Sequence, residues 1–144
     1  MTVASILKNK GQSIVSARPT DTVAEVARLL SDHRIGAVVV IDAGGRLVGI
    51  LSERDIVISL AANGADALAL TADQLMTRDL STVTLQTTEA DAMTMMTTGR
   101  FRHLPVVERG EMIGLISIGD VVKARIMQQD SEVENMRAYV SGAA

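Results

Sequence analysis

At 144 residues, with 17 acidic against 14 basic side chains and a formal net charge of −3, the chain is one compact domain or two small units sharing a core, with no field to draw it to nucleic acid or an anionic membrane. It has no cysteine and only two histidines, His33 and His103, which excludes disulfides, thiolate metal sites and cysteine nucleophiles and argues against a dedicated metal site. One Phe, one Tyr and no Trp leave nucleic-acid bases little to stack on, no apolar run approaches the ~18 residues of a membrane span, and Met1–Lys10 lacks a signal peptide's apolar centre, so a cytoplasmic protein is expected.

In chain order, a short helix is expected at Val3–Leu7. Val23, Val26, Ala27 and Leu30 recur at helical spacing behind Asp21 and Thr22, which are suited to cap that helix. Ala37–Ile41 is wholly apolar and mostly β-branched, the composition of a strand covered on both faces. Asp42-Ala-Gly-Gly-Arg46 is turn chemistry, Leu47–Leu51 is the returning strand, and a second helix runs from Ser52 to about Ala62, where Asn63-Gly64 breaks it. Residues 65–71 form a linker. The second half then brings a short helix at Ala72–Met76, a helix at Thr88–Thr98, strands at Leu104–Val107 and Met112–Ile116, and a helix at Ser117–Gln129. Met93, Met95 and Met96 fit irregular gaps in a core. The tail, 131–144, is weakly amphipathic: a frayed end, or a helix that docks on a partner subunit.

The two halves are copies of one unit. Thr22–Ile35 aligns with Thr88–Phe101 at an offset of 66, matching Thr22 with Thr88, Ala24 with Ala90, Glu25 with Asp91 and Arg34 with Arg100. Val38–Asp42 falls on Leu104–Glu108 at the same offset. One residue is lost from the turn, and Gly49–Val57 then matches Gly114–Val122 at an offset of 65. Arg34 and Arg100, just before matching strands, suggest a repeated structural ion pair. A single unit would leave apolar sheet and helix faces exposed, which two units packed about a pseudo-twofold axis would bury. The fold class expected is α/β of the α+β type: two βαββα units over 1–64 and 72–130.

The chemistry sits where the third strand of each unit runs into its second helix, at Gly49-Ile-Leu-Ser-Glu-Arg-Asp55 and Gly114-Leu-Ile-Ser-Ile-Gly-Asp120. Ser52 and Ser117 would present a hydroxyl beside free N–H groups at a helix N-terminus, which suits a phosphate. Asp55 and Asp120, three residues on, could accept from both hydroxyls of a ribose. The same Ser-x-x-Asp spacing is also close to a capping box, and the residues alone leave both readings open.

The βαββα repeat, the Gly-h-Ser-x-x-Asp junction (h is hydrophobic) and Arg102-His-Leu-Pro-Val-Val107 together resemble paired cystathionine β-synthase (CBS) domains, the Bateman module, over about Val3 to Met127. The resemblance implies two clefts for adenosyl ligands, with Ser117 and Asp120 grouped with Val15, Ser16 and Ala37, and Ser52 and Asp55 grouped with Thr82, Val83, Arg102 and His103. Adenine nucleotides are the implied ligands, AMP first, with NAD(H), ADP, ATP or S-adenosylmethionine as alternatives. Gly36-Ala37 is replaced by Arg102-His103 in the second repeat, and Arg54 by Gly119. A cleft with Arg54, Arg102 and His103 would favour a charged phosphate tail, unless these residues are simply solvated.

A regulatory module binding an adenine nucleotide is therefore expected, acting on a partner protein or on its own assembly and not as an enzyme. The competing readings are a structural dimerisation domain whose Ser-x-x-Asp elements are only caps, and a small nucleotide hydrolase, for which no nucleophile–base pair is legible. The resemblance also implies a homodimer formed through the Met- and Ala-rich helices, with neither nucleic acid nor membrane as partner.

Overall fold

A computed structural model describes residues 1–11 and 13–142. In chain order the elements are α1 (Val3–Lys10), β1 (Ser16–Ala17), α2 (Val23–His33), β2 (Ala37–Ile41), β3 (Leu47–Ser52), α3 (Glu53–Asn63), a 3-10 helix (Gly64–Ala69), α4 (Ala72–Leu75), α5 (Glu89–Gly99), β4 (His103–Glu108), β5 (Glu111–Ser117) and α6 (Ile118–Gly142). The class is α+β, and the residues sort into two compact units: Ser13–Ser81, and Met1–Gln12 with Thr82–Ala144.

In the first of these, β2 lies between β1, which it pairs in parallel, and β3, which it pairs antiparallel with Ala37 opposite Ser52. Val38 and Val40 point into a core with Val23, Val26, Leu30, Leu51 and Ile56. Ala37 and Val39 on the other face of β2 are also buried, as expected of a strand without polar alternation. Thr22 and Glu25 close a capping box that starts α2, with Thr22 Oγ1 accepting from Glu25 N–H at 3.2 Å and Glu25 Oε2 from Thr22 N–H at 3.3 Å. The β2–β3 turn is held by Asp42 Oδ1, which accepts from the N–H groups of Gly44 and Arg46, each at 2.9 Å.

The second unit repeats this with two named strands in place of three. β4 and β5 pair antiparallel, and Val83 makes a single parallel bridge to Val106 where β1 stands in the first unit. Its hairpin turns on Arg109 and Gly110, both at positive φ (52° and 80°), so the residue lost between repeats is lost in a tighter turn.

The lead-in helices are exchanged between repeats. Val3 N–H donates to Thr87 O at 2.9 Å and Glu89 N–H to Met1 O at 3.0 Å, so α1, ahead of the first repeat, belongs to the second unit. Val23 N–H likewise donates to Leu70 O at 2.8 Å and Ala72 N–H to Asp21 O at 2.7 Å, placing α4 in the first. The compact units therefore differ from the spans 1–64 and 72–130: residues 65–81, expected as a linker and the opening of the second unit, pack with the first.

Each lead-in helix lies on the glycine that precedes its junction. A Cβ on Gly114 would stand 2.8 Å from Leu7 Cδ2, and one on Gly49 would stand 2.6 Å from Met76 Sδ and 3.0 Å from the Thr77 carbonyl oxygen. Gly49→Ala is expected to cost about 1–3 kcal/mol in denaturant melts, because the Thr77 backbone cannot turn away. An unchanged midpoint would show that α4 is loosely seated.

One further expectation changes, and two are met. Arg34 and Arg100 make no ion pair among the described residues; both are left-handed C-caps (φ 53° and 57°) that end α2 and α5. Met96 is buried and Met93 and Met95 pack on the second unit's core, as expected of methionines filling irregular gaps. Of the two readings of the tail, the helix is the one formed: α6 runs unbroken from Ile118 to Gly142. No helix among the described residues is long and apolar enough to cross a membrane.

Candidate functional site

Both junctions are built alike. β3 ends on Ser52, whose backbone is extended (φ −106°, ψ 162°), and α3 starts at the next residue. Asp55 N–H donates to Ser52 Oγ at 3.3 Å, and Asp55 Oδ2 accepts from Ser52 N–H and Ser52 Oγ, each at 3.0 Å. Glu53 N–H donates to Gly36 O at 2.9 Å and ties the helix start to the start of β2. In the second unit Asp120 N–H donates to Ser117 Oγ at 3.1 Å, Ser117 N–H to Asp120 Oδ2 at 2.8 Å, and Ile118 N–H to Arg102 O at 2.8 Å.

The capping box that this spacing also allows is thus formed twice. It is not all that the junctions offer. Every hydrogen bond to Asp55 and Asp120 among the described residues falls on Oδ2, which leaves Oδ1 of each half-buried carboxylate as an acceptor. The N–H groups of Arg54 and Gly119, second in each helix, have no acceptor among the described residues. Each junction therefore presents one donor and one acceptor at a helix N-terminus.

The sequence missed Lys10. Its Nζ donates to Asp120 Oδ2 at 2.7 Å and to the Leu115 carbonyl oxygen at 2.7 Å. Burial works to raise the Asp120 pKa, but the Lys10 hydrogen bond, the bonds from Ser117 and the Lys10 charge together hold it below the usual carboxylate value. In the first unit no cation among the described residues pairs with Asp55. There the carbonyl of Ile50, the counterpart of Leu115, accepts from Thr77 N–H at 2.8 Å in a backbone bridge. Aligning Thr2–Lys10 with Thr71–Asp79, at an offset of 69, places Lys10 on Asp79, and this charge reversal was the available signal.

The other candidate residues are placed as follows. Ala37 is buried opposite Ser52, and His103 is half-buried opposite Ser117. Within a unit, then, each junction neighbours its own second strand, whereas the resemblance groups it with the strand start of the other repeat. Arg54 and Arg102 are exposed, Ser16 pairs with Val39 in β1, Val15 packs on the first core, Thr82 is exposed, and Val83 is buried. A groove of about 540 Å³ lies in the first unit between α2 and α3, lined by Leu30, Arg34, Ile35, Glu53, Ile56 and others, but not by Ser52 or Asp55. No group of three or more metal-ligating side chains exists among the described residues.

The CBS domain family model matches residues 5–62 and 72–126. A mitochondrial CBS domain-containing protein of Arabidopsis thaliana is 34% identical over 98% of this chain and 72% of its own length. A CBS-domain containing protein from Agrobacterium tumefaciens has a crystal structure that superposes with a TM-score of 0.85 at 44% identity, covering 86% of this chain and 92% of that one. A CBS domain protein from Pyrobaculum aerophilum, complexed with AMP, superposes with a TM-score of 0.74 at 29% identity, covering 83% of this chain and 89% of that one.

Proposed function

The chain belongs to the CBS-domain family, which it enters as a pair of domains, and we propose that it is a regulatory module that binds AMP or a closely related adenine nucleotide. The observation that carries this reading is the duplicated junction: at equivalent places in both repeats a capped helix start keeps a carboxylate oxygen and an N–H group uncommitted among the described residues. The AMP held by the Pyrobaculum relative supports the ligand class.

On this reading each junction would grip a ribose with a single carboxylate oxygen. Oδ2 is occupied by the cap at both junctions, so the diol falls to Oδ1 of Asp55 and of Asp120 rather than to both oxygens. Ser52 and Ser117 orient the junctions, and exposed Arg54 and Arg102 supply phosphate contacts. Binding changes the action of the module on a partner protein or on its own assembly. A purely structural domain is the second reading, favoured by the fact that each Ser–Asp pair already satisfies itself as a cap.

Titration calorimetry with AMP and adenosine separates the two. Asp55→Ala and Asp120→Ala each remove charge-assisted bonds worth roughly 1.5–3 kcal/mol, so affinity at the corresponding junction falls at least about tenfold. Arg102→Ala weakens AMP more than adenosine. AMP at 100 times its dissociation constant adds about 2.7 kcal/mol of thermal stability. No heat and no stabilisation with AMP, ADP, ATP or NAD(H) would leave the structural reading standing, and turnover of the nucleotide would make the protein an enzyme.

A further inference from the structure

The second half of α6 has no core to rest on. Val121 and Ala124 are buried, but from Gln129 to Gly142 every residue is exposed. A helix of about 14 residues without packing is marginal in water, because helix nucleation is unfavourable and tertiary contact supplies most helical stability. Of the seven exposed large apolar residues of α6, five form a stripe: Val122, Ile126, Val133, Met136 and Val140, with Gln129 among them, follow one another at spacings of four and three, while Met127 and Tyr139 lie off it. At about 100° per residue these six positions occupy an arc of roughly 80°, centred about 130° from the face that Val121 and Ala124 bury.

An alternating four–three repeat is the heptad of a coiled coil. With Ile126, Val133 and Val140 at a, the d positions are Val122, Gln129 and Met136. β-Branched residues stand at each of these a positions, as in parallel two-stranded coiled coils, although no Leu occupies d, and Gln129 is the one polar residue in the seam. The flanking charges choose the partner. At the g positions stand Arg125 and Glu132, and at the e positions five residues further on stand Asp130 and Arg137. Two parallel, in-register copies of this helix would set Arg125 against Asp130 and Glu132 against Arg137, each pair twice, all of opposite sign. Arg125 also reaches Glu89 in its own chain at 3.4 Å, so the Glu132–Arg137 pair carries more of the selection. Antiparallel pairing about the centre of the seam would set Glu132 near Glu132 and Asp130 near Asp130, which is repulsive.

We propose that α6 is a self-association helix that forms a parallel two-stranded coiled coil with a second copy of this chain through Val122, Ile126, Gln129, Val133, Met136 and Val140. This assembly does not depend on the nucleotide reading. It differs from association through α5, whose methionines serve the core.

The chain has no cysteine, which makes cross-linking clean. Under mild oxidation of the full chain, Val133→Cys is expected to form a disulfide-linked species of twice 15.3 kDa nearly completely. Ser131→Cys, on the outward face of the helix, does so negligibly. In sedimentation experiments Glu132→Lys weakens the dimer at least about tenfold, and adding Arg137→Glu restores it. These positions are exposed, so near-unchanged thermal melting of the units serves as the folding control. A wild type that is monomeric at tens of micromolar, a dimer indifferent to Glu132→Lys, or a Glu132→Lys defect that Arg137→Glu does not repair would each overturn the proposal, the last by showing an antiparallel or unrelated partner.

Discussion

Leu7→Ala is expected to destabilise the second unit by about 2–5 kcal/mol, although residue 7 lies ahead of the first repeat in sequence. Leu7 is 2% exposed and shares a core with Val3, Ile6, Val83, Met96, Leu104, Val106 and Ile116. It rests on the bare backbone of Gly114, where a Cβ would stand within 3.0 Å of both its terminal methyls, so little nearby can collapse into the space left by truncation. Val57→Ala is the control: that side chain is 63% exposed on α3, and its loss is expected to change stability by no more than about 0.5 kcal/mol. Denaturant melts measure the size of the effect, and amide hydrogen exchange locates it. Protection should fall along β4 and β5 and persist along β2 and β3. Loss of protection confined to residues 13–81 would mean that α1 serves its own repeat and that the exchange of lead-in helices is wrong.

That exchange marks the limit of what could be read from residues alone. Strands β2 to β5 and helices α2, α3 and α5 fall within one or two residues of expectation, because β-branched runs, glycine-bearing turns and Thr or Ser caps are local signals. The bridge from Thr2 to Thr88 joins residues most of a chain length apart, and no local pattern announces it. The misreading of Arg34 and Arg100 has a similar origin. A matched pair of arginines suggests matched ion pairs, but both repeats needed a left-handed residue at a helix end and used the same residue type for it. The capping role of Ser-x-x-Asp was legible as well, since Ser and Asp three residues apart match the spacing of a cap. Lys10 escaped notice because its partner lies across the unit, and because the repeat alignment began only at Thr22.

Lys10→Met is the substitution expected to separate the two junctions. The carboxylate of Asp120 is held below its ordinary pKa, with burial pulling upward and the Lys10 and Ser117 contacts outweighing it. A carboxyl whose folded pKa lies below its unfolded one contributes stability that is complete above the unfolded value and is lost as pH falls through the folded one, so this contribution disappears below about pH 4. With Lys10 gone, burial remains and the strongest lowering contact is lost. The pKa of Asp120 should rise, and the acid loss of stability should begin at higher pH. Carboxyl carbon chemical shifts of Asp120 across an acid titration report this directly. An unchanged midpoint would mean that Ser117 alone holds the carboxylate charged. The ligand consequence rests on the nucleotide reading and has the opposite emphasis. Lys10 is a cation beside a proposed ribose clamp, and its removal leaves the carboxylate charge uncompensated. AMP should then lose affinity relative to adenosine at the Ser117–Asp120 junction, by roughly three- to tenfold for a partly solvent-screened charge. The Ser52–Asp55 junction, where Asp79 aligns with Lys10, should be unaffected. Equal losses for both ligands would show that Lys10 shapes the junction without acting on phosphate, while a raised Asp120 pKa with unchanged binding would confine Lys10 to stability.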